Sequence, residues 1–191
     1  EARLNFAENL LRRGDRGDAL VFWDERGPQK RVSYSELTSD VSRAAQALQQ
    51  LGLRAGDRAA AFIPNLPETA MFALAALSQG IVWSSCSPDF GVDGVIDRFG
   101  QIEPKVLFVA DGYLYNGKPH DVLGRVREIA ERLPSLRKVV VVPYLDADPD
   151  ISDIPKAVLL GEWLRRHTPG EIAWAQLPFD HPAYILYTSG T

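Results

Sequence analysis

The sequence predicts an α/β fold, with a mostly parallel sheet and helices covering both of its faces. Three observations carry this. Continuous apolar runs of strand length recur, among them Val106-Leu107-Phe108-Val109-Ala110 and Val139-Val140-Val141-Val142. Such runs suit strands buried on both faces, as parallel strands are. Between them lie segments whose apolar residues repeat at three- and four-residue spacing, the signature of helices. Glycine and proline punctuate the junctions. Strands alternating with helices pair in parallel through right-handed crossovers.

Taken in order, Ala19-Leu20-Val21-Phe22-Trp23 and Lys30-Arg31-Val32-Ser33 flank Asp24-Glu25-Arg26-Gly27, which predicts an antiparallel hairpin. Ser33 and Glu36 stand at capping-box spacing. The helix they open carries Leu37, Val41, Ala44, Ala45, Leu48 and Leu51 on one stripe, and Gly52 ends it. A strand follows at Arg58–Ile63. Pro67 and Glu68 open a second helix, apolar on every side from Ala70 to Leu77 and therefore expected to be buried. Gly80 stops it, and Ile81-Val82-Trp83-Ser84-Ser85 reads as the next strand. Val95, Ile96 and Phe99 mark a helix over Val92–Ile102 that Pro104 closes. After the strand Val106–Ala110, a helix is expected over Asp121–Leu133, with Val122, Val126, Ile129 and Leu133 inward. The strand Val139–Val142 ends at Pro143. The loop bearing Asp146, Asp148, Asp150 and Asp153 reads as solvated surface. A short helix near Leu159–Arg166 precedes a last buried strand, Ala183–Tyr187. No internal repeat or low-complexity linker appears.

Composition narrows the functions. The 191 residues suffice for one full core, or for one domain and part of another, and 46% are hydrophobic. A net charge of −4 offers no electrostatic basis for nucleic-acid binding. The single cysteine, Cys86, forms no internal disulfide, which suits a reducing compartment. His120, His167 and His181 lie far apart, without metal-ligand spacing, so no metal site is expected. No apolar run approaches the length of a membrane span, and no secretory pattern opens the sequence; a cytoplasmic setting is expected. The chain begins at Glu1 and stops inside a glycine-rich turn, so both ends read as cuts.

In doubly wound sheets, ligands gather beyond the carboxyl ends of the strands. Three loops fall there. Ser84-Ser85-Cys86-Ser87-Pro88-Asp89-Phe90-Gly91 reads equally as a polar turn capping the next helix. Asp111-Gly112-Tyr113-Leu114-Tyr115-Asn116-Gly117-Lys118 has a tight-turn Asn-Gly step and a lysine that is otherwise an ordinary surface cation. The third, Thr188-Ser189-Gly190-Thr191, leaves the apolar run that ends at Tyr187. Glycine lets backbone N–H groups approach an oxyanion, and the hydroxyls add donors, so this turn suits phosphate. On local chemistry alone it is also an ordinary turn, and it lacks the Walker spacing.

Together these segments resemble a family. The order of Leu4-Asn5-Phe6-Ala7-Glu8-Asn9-Leu10, Ser33-Tyr34-Ser35-Glu36-Leu37, Gly56-Asp57-Arg58 with Ile63-Pro64-Asn65, and Tyr187-Thr188-Ser189-Gly190-Thr191 is similar to the amino-terminal part of the adenylate-forming acyl-CoA synthetases. Within that superfamily the opening motif, Trp83–Gly91 and Asp111–Lys118 most resemble the acetoacetyl-CoA synthetase branch. The resemblance covers essentially the whole chain. It implies that residues 1–191 are the amino-terminal part of the large domain of an AMP-binding ligase, ending inside the phosphate loop. It further implies ATP, Mg²⁺, coenzyme A and acetoacetate as cofactors and substrates of the intact enzyme. Thr188, Ser189, Gly190 and Thr191 would face the β- and γ-phosphates. Lys118 would face the 3′-phosphate of coenzyme A, with Tyr115 where relatives acting on acetate place another cation.

The family's adenine site, acid pocket, mobile carboxy-terminal domain and catalytic lysine would all follow residue 191, so no catalytic residue is expected in this chain and the isolated chain is expected to be inactive. The remainder of the same polypeptide is then its partner; neither nucleic acid nor membrane is expected. Two other readings stay open: a synthetase of the same superfamily for another short-chain or aryl acid, and a non-catalytic α/β interaction domain.

Overall fold

The computed structural model describes residues 2–188. A two-residue strand β1 (Arg3–Leu4) leads into α1 (Phe6–Leu11), followed by the hairpin of β2 (Asp18–Asp24) and β3 (Gly27–Ser33). Then come α2 (Tyr34–Gln50), β4 (Arg58–Phe62), α3 (Pro67–Ser78), β5 (Val82–Cys86), α4 (Val92–Ile102) and β6 (Val106–Ala110). A second hairpin, β7 (Gly112–Tyr115) with β8 (Lys118–Asp121), precedes α5 (Leu123–Arg132), β9 (Lys138–Val142), β10 (Ala157–Leu159), α6 (Leu160–Leu164) and β11 (Leu177–Pro178).

Five strands form a parallel sheet in the order β10-β9-β6-β4-β5. Side chains alternate across it, as strand geometry requires. Ala59 and Ala61 of β4 and Val106, Phe108 and Ala110 of β6 face one layer, built with α1, α2, α3 and α6. Ala60, Phe62, Leu107 and Val109 face the other, built with α4 and α5. Phe72 of α3 stacks on Phe108 of β6 with ring centroids 3.9 Å apart. The all-round apolar character of α3 is thereby explained: it packs between the sheet and the helices outside it.

The predicted parallel sheet, its two covering layers and the first hairpin are present, as is the capping box of Ser33 and Glu36. Helix α4 ends at Glu103 in the left-handed conformation (φ 48°), since Pro104 disfavours a helical residue before it. Three expectations differ, and one strand was not foreseen. Asp111–Lys118 is no open loop: most of it is hairpin, with Tyr115 opposite Lys118 and Gly112 opposite Asp121. The following helix accordingly starts at Leu123, because Asp121 belongs to the ladder and its side chain accepts from the Leu123 amide at 3.0 Å. The edge strand β10 has only three residues, too few for a visible period. Finally, Ala183–Tyr187 is neither regular strand nor buried. It makes one parallel bridge, Trp83 to Tyr184, and Leu186 is 81% exposed because only one side of the segment meets the sheet.

Asn5 ties the amino terminus to this framework. Its side-chain oxygen caps α1 by accepting from the amides of Ala7 (3.0 Å) and Glu8 (3.1 Å). Its amide donates to the carbonyls of Leu77, Ser78 and Ala175 at 2.9–3.1 Å. Two of those carbonyls belong to the last turn of α3, where Leu77 O also accepts from the Gly80 amide (3.1 Å) and Ser78 O from the Ala175 amide (2.9 Å). The residue is 2% exposed, so water cannot replace these bonds. Asn5→Ala is expected to cost about 1–3 kcal/mol, from a lost cap and buried hydrogen bonds given up by carbonyls that keep their backbone donors in part. Urea unfolding checks this, and a loss below about 0.5 kcal/mol, the level of a neutral surface change, would contradict it.

Candidate functional site

Strands β5 and β6 leave opposite sides of β4, and the helices that follow β4 and β5 lie on opposite faces. This is the switch point at which a doubly wound sheet opens a crevice beyond its carboxyl edge. A cleft of about 590 Å³ lies there. Its walls come from Pro64–Leu66 after β4, Ser87–Asp89 after β5, Tyr113–Tyr115 after β6 and Tyr144 after β9, with Phe22–Glu25 of the first hairpin closing the side.

Most of these walls are held by specific bonds. Asp111, 3% exposed, follows β6 and turns its carboxylate onto the chain leaving β9. It accepts from the amides of Tyr144 (2.8 Å), Leu145 (3.0 Å to each oxygen) and Asp146 (2.7 Å). Three successive amides on one carboxylate form strong charge-assisted bonds that fix the loop. The next residue, Gly112, admits no side chain, since a Cβ there would stand 2.5 Å from the His120 carbonyl oxygen. Arg125 of α5 donates to the carbonyls of Pro88 and Phe90, both at 2.8 Å, and so fixes the loop after β5.

The hairpins are joined tip to tip. Asn116 (φ 51°) and Gly117 (φ 71°) form the left-handed pair of a tight turn. Their amides donate to the Glu25 carboxylate at 2.7 and 2.5 Å. Asp24 accepts from the Tyr144 hydroxyl at 3.0 Å and from the Arg26 amide at 2.8 Å, and pairs with the Arg26 guanidinium. The Arg26 side chain foremost holds the Asp24 carboxyl down at about 2. Burial first, then its bond to Asp24, pushes the Tyr144 phenol up to about 12.

The expected site residues fall in two places. Lys118 opens β8 as an exposed residue at the hairpin tip, beside the cleft, with Tyr115 opposite it in the cleft wall. Thr188 ends the described chain beside β5; Ser189, Gly190 and Thr191 lie outside the described residues. The segment before Thr188 is latched to the sheet edge. The Trp83 amide donates to Ala183 O, the Ile185 amide to Trp83 O and Ser84 Oγ to Ile185 O, all at 2.9 Å. The Tyr187 hydroxyl donates to the Arg98 carbonyl at 2.7 Å, and the Arg98 guanidinium lies over the rings of both Phe90 (4.4 Å) and Tyr187 (5.7 Å).

Burial pushes the Cys86 thiol up to about 12, so it stays protonated near neutral pH and is no nucleophile. His120 stacks on Tyr113 at 5.0 Å, and His181 Nε2 lies 2.9 Å from Gly80 O, which gives both histidines packing roles. Among the described residues no group of three or more His, Cys, Asp or Glu could hold a metal ion, and no helix is long and apolar enough to cross a membrane. Sequence reading missed the roles of Asp111, Arg125, Glu25, Asp24 and Tyr144. Asp111 opened a quoted motif, and Asp24-Glu25 stood in a recognised turn, but their partners lie 33 to 120 positions away.

A doubly wound sheet with a crevice beyond its carboxyl edge defines an α/β module of the kind that binds ligands there. Comparison with known proteins makes this specific. The model of the AMP-binding enzyme family matches residues 6–191, and the chain belongs to that family. It is 50% identical over its whole length to the acetoacetyl-coenzyme A synthetase of Rhizobium meliloti (strain 1021) and 41% identical to the acetoacetyl-CoA synthetase of Xenopus tropicalis. The chain spans 29–30% of the length of these curated relatives. The solved acetoacetyl-CoA synthetase from Streptomyces lividans superposes with a TM-score of 0.90 at 40% identity, over 98% of this chain and 29% of that one.

One pH dependence follows from the Asp24 pair. The folded carboxyl sits at about 2, below its ordinary 3.8. Its contribution is therefore complete above pH 4 and lost as the pH falls through about 2. Asp24→Asn is expected to flatten the decline in stability between pH 4 and pH 2, measured by unfolding at a series of pH values. An unchanged slope would contradict the pairing.

Proposed function

We propose that residues 1–191 are the amino-terminal part of the large domain of an AMP-forming ligase that joins acetoacetate to coenzyme A. The carboxylate of the acid attacks the α-phosphorus of ATP, forming an acyl-adenylate and releasing pyrophosphate. The thiol of coenzyme A then attacks the acyl carbon, forming the thioester and releasing AMP. The observation that carries this reading is the position of Thr188, delivered by a latched segment to the carboxyl edge of β5 in a chain whose relatives match it end to end. Donors fixed at that edge suit the charge of a triphosphate.

In this reading Thr188, Ser189, Gly190 and Thr191 receive the β- and γ-phosphates through backbone amides and hydroxyls. Lys118 faces the 3′-phosphate of coenzyme A. Mg²⁺ enters with ATP as a counter-charge to the phosphates; the described residues present no cluster to hold it, and no step is assigned to it. The chain supplies a wall of the site, and the rest of the polypeptide supplies acid selection and catalysis. A cytoplasmic setting suits both ATP and the unpaired Cys86 thiol.

The test is pyrophosphate release by the complete polypeptide with ATP, Mg²⁺ and coenzyme A, over acetoacetate, acetate, propionate, butyrate and benzoate. Acetoacetate is expected to be turned over fastest. A clear preference for another acid would move the specificity within the superfamily, and no turnover of any acid would leave an interaction domain as the better reading. Thr188→Val is expected to lower acid-dependent pyrophosphate release tenfold or more, the scale of one lost transition-state donor, with the melting temperature held. Unchanged release would exclude the role. Lys118→Ala is expected to raise the KM for coenzyme A about fivefold, the worth of an exposed ammonium–phosphate contact of about 1 kcal/mol. An unchanged KM would remove Lys118 from the site.

A further inference from the structure

The latch on β5 stops short of the turn proposed to receive phosphate. Its last bonds run from the Ile185 amide to Trp83 O and from Ser84 Oγ to Ile185 O, and Leu186 beyond them is exposed. Between this latch and Thr188 stands Tyr187, whose side chain reaches helix α4. Its hydroxyl donates to the Arg98 carbonyl at 2.7 Å, and the Arg98 guanidinium carbon lies 5.7 Å from the centre of its ring.

Arg98 is itself held in place. Its Nη1 donates to Gly94 O at 2.7 Å, one turn back along α4, and its guanidinium also covers the Phe90 ring at 4.4 Å. Gly94 leaves the room for this arrangement. A Cβ there would press on the Phe90 ring at 3.3 Å, with the guanidinium close behind at 3.6 Å. Glycine inside a helix lowers its stability, so α4 gives up helix propensity to keep this space open. Phe90 in turn is fixed through its carbonyl by Arg125.

The way this cation is held is informative. Arginine in a half-buried setting commonly pairs with a carboxylate. Among the described residues Arg98 makes no ion pair. A carboxylate would cancel its charge, whereas aromatic faces attract the cation through their quadrupoles and leave its charge in place. An uncancelled positive charge at the root of a turn favours an anion bound there.

We propose that Arg98 and Tyr187 are positioning residues for the phosphate turn. Helix α4 holds Tyr187 by its hydroxyl and its ring, and so sets where the backbone of Thr188 meets the triphosphate. The proposal rests on the reading of Thr188 as a phosphate ligand, and names what places it. Neither residue enters the chemistry of adenylation. Both act through the turn, so their loss falls on ATP and spares the acid.

Acid-dependent exchange of labelled pyrophosphate into ATP by the complete polypeptide tests this. Arg98→Met removes the cation and keeps the stem, while Tyr187→Phe keeps the ring and removes only the hydroxyl. Arg98→Met is expected to lower kcat/KM for ATP about tenfold and Tyr187→Phe about fivefold, the scale of a half-buried cation–π contact and of one hydrogen bond. A raised KM for ATP is expected to carry most of each loss, with the KM for acetoacetate and the melting temperature unchanged. Arg98→Lys is expected to stay within about threefold of the parent, since an ammonium is also drawn to ring faces. A merely structural contact would instead lower the melting temperature, or kcat alone, and leave the KM for ATP unmoved; that result would overturn the proposal. So would a kcat/KM for ATP within about twofold of the parent in both Arg98→Met and Tyr187→Phe. Thr188→Val, assayed alongside, reports the phosphate reading separately. Exchange lost there but kept in the Arg98 and Tyr187 variants sinks this inference alone. Exchange kept in Thr188→Val removes the phosphate reading, and this inference with it.

Discussion

The carboxyl edge of this molecule depends on Asp111. A buried carboxylate is costly unless its oxygens are satisfied, and here three consecutive amides satisfy them. The bond works in both directions: the loop neutralises the carboxylate, and the carboxylate fixes the loop. Its backbone extends the same constraint, since the Asp111 amide donates to Val142 O and its carbonyl accepts from Val122. One residue thereby joins the ends of β6 and β9, the start of the second hairpin and the approach to α5. Tyr144, placed by this clamp, reaches Asp24 and brings in the first hairpin.

The site is thus assembled from loops that would otherwise move independently. Arg125 fixes the loop after β5, Glu25 joins the two hairpin tips, and Arg98 stacks over Tyr187 just before Thr188. Most of these bonds end on backbone atoms, which constrains the path of the chain and leaves the side chains lining the cleft free to contact a ligand. The opposite edge is clamped in the same way, by Asn5 under α3, by Arg58 on the carbonyls of Ile102 and Glu103, and by Arg137 on those of Leu51 and Gly52. Both edges are held rigid, and the cleft lies at the carboxyl edge, as expected where binding loops stand on a parallel sheet.

The sheet was legible because its strands are apolar on both faces and its helices carry long periodic stripes; Val139–Val142 and the Leu37–Leu48 stripe allow little else. Local capping was legible too, since Ser33 and Glu36 need only each other. The second hairpin escaped because Pro119 and His120 carry no strand signal, and its ladder is set by the Asn116-Gly117 turn and the Glu25 contact, 91 positions away. The terminal segment misled in the opposite direction. Ala183–Tyr187 has the composition of a core strand, yet burial depends on what lies against both faces, and sequence pattern cannot supply that. Lys118 and Thr188 were named as candidates through motif resemblance, whereas Asp111, Arg125 and Glu25 were invisible as a set because each acts on distant backbone.

The cleft at this edge and the segment leading to Thr188 meet where the proposed ligase would bring its substrates together. The central claim of the proposed reaction is a transient acyl-adenylate. The most direct measurement is the fate of the acid's carboxylate oxygens, followed by mass spectrometry after turnover of doubly ¹⁸O-labelled acetoacetate by the complete polypeptide with ATP and coenzyme A. One labelled oxygen in each AMP is expected, because the carboxylate oxygen that attacks phosphorus leaves with it. Label recovered in orthophosphate, with ADP as the other product, would contradict adenylation and require an acyl-phosphate route.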